Sequence, residues 1–331
     1  MSVDFLFITA NDVHINDVAP RSRIDDYKGA ILGKLGQMGM VCSKFGADAA
    51  LIAGDLFDNK EPARNSHELN QDLVRVFKTF PCPIYMVEGN HDMKANRLDS
   101  IGKQPLGVLY EDGTLKKLRE AVIEKKGVKV SLVGVPYEQD LDLAELKIPP
   151  KDGFVSQICV MHLYAGLKAG DMFGERLYGY DELEKLSPDV FVIGHYHVDQ
   201  GMYEQNGKWF VNIGCMGRGT LAEESLDHKP QIGLVRVSVD DHGNTSYSMK
   251  PYPLRVKPAS EVFDVERRRE EKKESEEIQK FVEKLASEAA AEAIPGAKSI
   301  EDVLAKLDLA KAVKDCVMKY IHQATAKAGS K

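Results

Sequence analysis

The run Ala49-Ala50-Leu51-Ile52-Ala53-Gly54-Asp55-Leu56-Phe57-Asp58 decides the fold. Its first five residues are continuously apolar, the pattern of a strand covered on both faces. Glycine then ends the strand, and two carboxylates follow within four residues. Four more motifs repeat this arrangement, each after a predicted strand: Asp12-Val13-His14, Gly89-Asn90-His91-Asp92, Met161-His162 and Gly194-His195-Tyr196-His197. Strand ends that open onto one crevice are where α/β folds hold ligands. Residues i and i+2 of an extended chain point the same way, so Asp12 and His14 can reach one metal, and so can His195 and His197.

Carboxylate, imidazole and amide oxygen suit borderline divalent ions such as Mn²⁺, Fe²⁺ or Zn²⁺. No cysteine accompanies the motifs, which argues against a structural thiolate zinc site. Together the motifs can build two adjacent sites, about 3.5–4 Å apart, that share one carboxylate. Such a pair generates a hydroxide nucleophile, neutralises a phosphate and orients an in-line attack. Gly-Asn-His-Asp alone reads equally well as a turn; the ordered set of motifs carries the reading.

Predicted strands lie at Asp4–Thr9, Ala49–Ala53, Ile84–Val87, Val128–Val135, Gln157–Met161, Val190–Ile193 and Trp209–Ile213. A hairpin follows: Ile232–Val239, a turn at Asp240–Asn244, then Ser246–Lys250. Ile24, Tyr27, Ile31, Leu35, Met38, Cys42 and Phe45 recur at helical steps. Gly29, Gly33 and Gly36 in that helix read as a face packed closely on a sheet. The character changes after Pro258. Eleven of the twelve residues 266–277 are charged. Ile278, Phe281, Val282 and Leu285 then recur at helical spacing, Ile294-Pro295-Gly296 breaks the pattern, and a second helical stretch runs from Ile300 to Ile321. The expected division is therefore 1–257, a catalytic α/β domain, and 258–331, a helical module.

Of the 331 residues, 43% are hydrophobic, enough for a sizeable core. No apolar run approaches the ~20 residues of a membrane span, and Met1 to Ala10 reads as a first strand, not a secretion signal. The five cysteines are odd in number and scattered, which argues against a disulfide framework and suits a reducing cytoplasm. The net charge is −7, whereas a protein that grips nucleic acid alone shows a basic surplus.

The motif set resembles the calcineurin-like metallophosphoesterases over residues 4 to 255. The resemblance implies a four-layer α-β-β-α sandwich, two face-to-face sheets with helices outside, followed here by the helical extension. It implies one metal held by Asp12, His14, Asp55 and His197, and a second by Asp55, Asn90, His162 and His195. His91 is then the catalytic histidine, with Asp92 orienting it through the second ring nitrogen. Protein Ser/Thr phosphatases of the superfamily carry Arg-Gly after the second motif, where this chain has Asn59-Lys60; purple acid phosphatases carry a tyrosine ligand where it has Leu56-Phe57. Gly-Asp-Leu-Phe-Asp with Lys60-Glu61-Pro62, and Gly194 to Gln200, are instead similar to SbcD-type nucleases. That likeness implies a Mn²⁺-dependent DNA exonuclease and endonuclease, often dimeric, whose C-terminal helices bind the coiled coil of an SbcC-type ATPase. Such a partner would explain an acidic chain that acts on DNA. Two positions depart from many relatives: Asp58 stands where archaeal and eukaryotic members have His, and Cys215 where many have Ser.

Seven basic residues follow the motifs: Arg21, Arg23, Lys94, Arg97, Lys168, Arg176 and Arg218. They are expected, with Asp58, to form a substrate-contacting rim for DNA phosphates. Two other classes compete with the nuclease. A small-molecule phosphodiesterase or phosphatase would use the same centre. A non-catalytic scaffold of this fold loses metal ligands, and here every one is present.

Overall fold

The structure is a computed structural model that describes residues 2–172, 174–219, 228–266 and 273. The chain divides into two units, Met1–Phe263 and Asp264–Lys331. The expected tail helices lie outside the described residues. The boundary falls after Phe263, not after 257, because the segment that follows Pro258 is packed into the first unit. Val262 and Phe263 are buried, the Ile24 amide bonds the Val262 carbonyl, and Phe263 bridges to Arg23.

Two six-stranded sheets form the body of the first unit, beside a small three-stranded sheet. One places Val3–Ala10 between the parallel strand Ala49–Ile52 and the antiparallel strand Gln231–Val239. Ile84–Met86 and Lys116–Lys117 extend it on one side and Thr245–Pro253 on the other. The other sheet has a parallel centre of Val128–Val135, Ser156–Leu163, Val190–His195 and Lys208–Asn212. Antiparallel edges Glu120–Lys125 and Gly201–Gln205 close it. The sequence did not announce these edges: Glu120–Lys125 alternates exposed and half-buried positions and carries charges at both ends, as edge strands do.

Alternation along the strands sorts the core into layers. Phe5 and Phe7 point inward against Val130, Leu132, Ile158, Val160, Val190 and Val192, forming the seam between the sheets. Leu6, Ile8 and Ala10 point outward, under helices Tyr27–Phe45, His67–Phe77 and Pro105–Glu111. On the far side Met161, Leu163, Phe191 and Ile193 pack with Tyr180 and Leu183 of the short helix Tyr180–Leu183. This is the expected four-layer order.

Helix Tyr27–Phe45 starts where Asp26 accepts a hydrogen bond from the Gly29 amide at 3.0 Å, and it ends at Gly46 in the left-handed conformation. Ile24 therefore lies outside it and is 61% exposed. The expected glycine face is not a packing face. A β-carbon at Gly33 or Gly36 would meet nothing within 4 Å, whereas one at Gly29 would strike the Asp26 cap. Tyr27, Ile31, Leu35, Met38 and Cys42 make the buried stripe.

Candidate metal centre

All five motifs meet at one edge of the paired sheets, because each follows or ends a strand whose C-terminus points there. The first sheet supplies the loops after Ala10, Ile52 and Met86; the second supplies His162 and His195 near the ends of adjacent parallel strands. Main-chain bonds lock the first two loops together: the His14 amide to the Asp55 carbonyl at 3.0 Å, and the Ile15 amide to the Leu56 carbonyl at 2.9 Å.

The backbone is strained where it presents ligands. Asp12, His14, Asp55 and His195 have φ of 48°, 50°, 50° and 84°, a region costly to residues with a β-carbon. Two glycines make the room. Gly54 has φ +88°, and a β-carbon there would lie 2.2 Å from His162 Nδ1; one on Gly89 would lie 2.0 Å from Asp55 Oδ1.

Two of the donor groups share Asp55; two more join His14 to Asp58 and His91, and His14 and His197 to Cys215, a thiol that no motif placed beside the ligands. The donor atoms of Asp12, His14, Asp55 and His197 lie within 4.8 Å of one another, and so do those of Asp55, His162 and His195. Asn90 Oδ1 joins the second group, 3.2 Å from His162 Nε2. Asp55 Oδ2 sits 3.6 Å from His14 Nε2 and 3.4 Å from His162 Nε2. The structure therefore brings together every residue expected to bind metal, in the two expected sets.

Burial and charge in the cluster favour cations. Burial alone would raise the Asp55 carboxyl, yet His162 and His14 hold it well below the usual carboxylate range. Burial would depress the His162 imidazolium, but Asp55 outweighs it and pushes it up to about 9. Burial raises the Asp12 carboxyl and lowers His14. Two imidazole pairs meet nitrogen to nitrogen: His14 Nε2 and His197 Nε2 at 2.9 Å, His195 Nδ1 and His162 Nε2 at 3.2 Å. Asp55 Oδ2 is buried with no hydrogen-bond partner. Converging lone pairs with an orphaned carboxylate oxygen between them fit divalent ions as the missing partner.

His91 borders this cluster, its ring centroid 4.8 Å from that of His14. Its Nδ1 bonds the Asp58 carbonyl at 2.8 Å, and its amide bonds Asp55 Oδ1 at 2.8 Å. Asp92 does not orient His91. Its carboxylate turns inward and accepts the amides of Phe57 at 3.2 Å and Gly89 at 3.0 Å, tying the second motif to the third. The orienting group is a main-chain carbonyl, which sequence reading could not assign. The Asp58 carboxylate accepts from Asn16 at 2.9 Å and stands 3.6 Å from His14 Nδ1.

The basic residues do not form the expected rim as a set. Arg23 is 7% exposed, bonded to Asp25 at 2.8 Å and to the Arg218 carbonyl at 2.7 Å, with its guanidinium over the rings of Tyr27 and Phe263. Arg218 is 6% exposed and bonds the Lys257 carbonyl at 2.7 Å. Both hold the chain segment near Phe263 in place. Arg97 pairs with Asp99, Arg176 with Glu182, and Lys94 lies 3.6 Å from Glu61. Arg21 and Lys168 are exposed.

Three residues at the site carried no sequence signal. The Tyr27 hydroxyl donates to the His14 carbonyl at 2.7 Å. Both oxygens of Glu175 lie 3.1 Å from His195 Nε2, and the Tyr137 hydroxyl donates to Glu175 at 3.3 Å. Glu175 opens the strand Glu175–Gly179 of a small three-stranded sheet.

Solved structures share this architecture. A putative 5′-nucleotidase from Staphylococcus aureus superposes with a TM-score of 0.53 at 17% identity, over 77% of this chain and 55% of that one. The calcineurin-like phosphoesterase YfkN from Bacillus subtilis gives 0.50 at 13% identity, over 76% and 91%. The NAD nucleotidase of Haemophilus influenzae gives 0.44 at 15% identity, over 76% and 57%. The chain thus spans 55% and 57% of the length of the two nucleotidases. At these identities the likeness to the first two is one of fold. The family model for calcineurin-like phosphoesterases matches residues 6–199, a span that holds all seven expected metal ligands and His91, and the chain belongs to that family.

Proposed function

We propose that this chain is a two-metal phosphodiesterase that cleaves DNA, as an exonuclease on duplex ends and an endonuclease on single strands and hairpins. The observation that carries a hydrolytic centre is the shared Asp55 between two converging donor groups, with His91 beside them. The DNA reading is supported by the local likeness of Gly54–Asp58 and Gly194–Gln200 to SbcD-type nucleases. On that reading Mn²⁺ is the activating ion, and residues 258–331 take the coiled coil of an SbcC-type ATPase. Nucleases of that type are often dimeric.

Asp12, His14, Asp55 and His197 would hold one ion, and Asp55, Asn90, His162 and His195 the other. Bound there, two divalent ions supply an activated nucleophile and neutralise the phosphate. The remaining work falls to the chain. His91 donates from Nδ1 to the Asp58 carbonyl; with Nε2 protonated as well, the imidazolium can give its Nε2 proton to the leaving oxygen, itself becoming neutral, or stabilise charge on the phosphorane. Asp92 holds the loops of Asp55 and His91 in register. Arg21 and Lys168, exposed in the chain that follows the first and fourth motifs, are the basic residues available to a phosphate backbone.

The test is cleavage of end-labelled duplex and single-stranded DNA in Mn²⁺, beside the His91→Ala protein. Degradation by the wild type, with activity lower by at least about 100-fold in the variant and metal content unchanged, is the expected result. A wild type that spares DNA but hydrolyses nucleotides or aryl phosphates would replace this reading with a small-molecule phosphodiesterase or phosphatase.

A further inference from the structure

The five cysteines are scattered along the sequence, yet the fold brings two of them together, away from the metal centre's ligands. Cys42 lies on the buried stripe of helix Tyr27–Phe45. Cys82 lies in the loop between helix His67–Phe77 and strand Ile84–Met86 and packs against the same hydrophobic cluster. Neither is in a disulfide. The two side chains are hydrogen-bonded, the Cys42 thiol donating to the Cys82 sulfur. Sulfurs already in such contact need move only a little to reach a bond of about 2 Å.

The two thiols differ in reach and in acidity. Cys42 is 0% exposed, whereas Cys82 is half-buried and lines a cavity of 230 Å³ with Phe77 and Phe80. Lys78, Lys116 and Asp112 line the same cavity and are exposed, so its charge favours an anionic visitor. The hydrogen bond from Cys42, joined by one from the Ala50 amide, holds the Cys82 thiol below the usual cysteine range, although burial and the Asp48 carboxylate oppose this. The same hydrogen bond, with burial, pushes the Cys42 thiol up. A thiolate, not a thiol, attacks a disulfide. Cys82 is therefore the nucleophile within reach, and Cys42 is the second thiol behind it.

We propose that Cys42 and Cys82 form a reversible dithiol–disulfide site, oxidised by a small anionic disulfide of the glutathione type. The Cys82 thiolate attacks one sulfur of glutathione disulfide. That S–S bond breaks, and one glutathione leaves as a thiolate and takes up a proton. Cys42 then loses its proton and attacks the Cys82 sulfur, and the second glutathione leaves in the same way. The protein gives up two electrons and two protons, and the reagent is reduced to two thiols. The closed bond ties helix Tyr27–Phe45, whose first residue holds the His14 carbonyl, to the loop that enters strand Ile84–Met86 and leads on to Asn90 and His91. A disulfide of this kind is a sensor of oxidising conditions and not a structural staple. The proposal does not depend on which phosphate ester the chain cleaves.

The experiment treats the full chain carrying Cys316→Ser, which removes the one cysteine outside the described residues, with glutathione disulfide. Free thiols are titrated before and after, and proteolytic peptides are mapped by mass spectrometry without reduction. The expected result is the loss of both the Cys42 and Cys82 thiols, a peptide pair linked through them, no retained glutathione, and full recovery of both thiols with dithiothreitol. Cys42→Ala in that background is expected to stop after the first step, with one glutathione held on Cys82. Cys82→Ser is expected to leave Cys42 as a thiol. Cys42 and Cys82 thiols that survive the treatment, or a glutathione that stays on Cys82 while Cys42 is present, would overturn the proposal. So would a Cys82→Ser chain whose Cys42 takes up glutathione as fast as the parent loses its thiols, because Cys82 would then not be the point of entry. The parent's own peptide map decides the first two outcomes, whether or not either variant folds.

Discussion

Replacing Tyr27 with Phe would show how firmly the first helix ties down the metal centre. Tyr27 is the first residue of its helix and is 2% exposed. Its hydroxyl donates to the His14 carbonyl at 2.7 Å. His14 holds φ at 50°, a conformation that costs a residue with a β-carbon about 1–2 kcal/mol. The hydroxyl thus restrains a strained backbone at the point where it presents a ligand. Phenylalanine keeps the ring, and with it the contact to the Arg23 guanidinium 4.9 Å from its centroid. The loss is therefore that of the donor, and a buried acceptor left without a partner costs about 1–3 kcal/mol. In a unit of this size each kcal/mol moves the midpoint by about 2–4 °C, so the melting temperature of the metal-free protein should fall by roughly 2–12 °C. Mn²⁺ affinity should fall with it, because His14 can relax from the geometry that aims its imidazole. Urea denaturation of the metal-free protein gives the free-energy loss, a thermal melt the shift in midpoint, and a Mn²⁺ titration the affinity. A loss below about 0.5 kcal/mol, the range of an ordinary surface substitution, with unchanged Mn²⁺ affinity would refute the reasoning.

Gly54→Ala should cost more than about 2 kcal/mol and empty the second site, because its β-carbon would lie 2.2 Å from His162 Nδ1 on a backbone at φ +88°; metal content at wild-type levels would refute this. Lys34 supplies a pH dependence. It is 3% exposed and donates to the Met216 carbonyl at 2.6 Å, and burial pushes its ammonium down from 10.5 to about 7. Between those values the unfolded chain binds the proton that the folded chain does not, so stability rises with pH across this window, by up to about 1.4 kcal/mol per pH unit. Lys34→Met should remove that slope and stabilise the fold at pH 7, as read from urea midpoints between pH 7 and 10. An identical slope in the variant would assign it to other groups.

The donor set was legible because each metal ligand stands at or just past a strand end, inside a motif of a few residues. Local order is enough there: an apolar run fixes the strand, and the next residues must emerge at its end. Asp12, His14, Asp55, Asn90, His162, His195 and His197 are read this way without knowing how the sheets pack. The alternation of Leu6, Ile8 and Ala10 with Phe5 and Phe7 likewise foretells a sheet covered on both faces. The edge strand Glu120–Lys125 escaped notice because half of it faces water, and the hydrophobic pattern that marks a strand is absent there.

What the sequence by itself determined is the chemistry: which residues can hold two ions, on which kind of fold. What only the tertiary structure decided is where the remaining polar side chains turn. Asp92 follows His91 in the chain, yet it bonds the amides of Phe57 and Gly89. Arg23 and Arg218 look like phosphate contacts by position, but they spend their donors on Asp25 and on carbonyls far along the chain. Glu175 reaches His195 from twenty residues away, through a small sheet that no motif marks. The physical reason is range. A strand and its terminal ligands follow from neighbours in sequence, whereas a hydrogen bond between distant segments depends on the positions and directions of both partners, and those exist only once the sheets have packed.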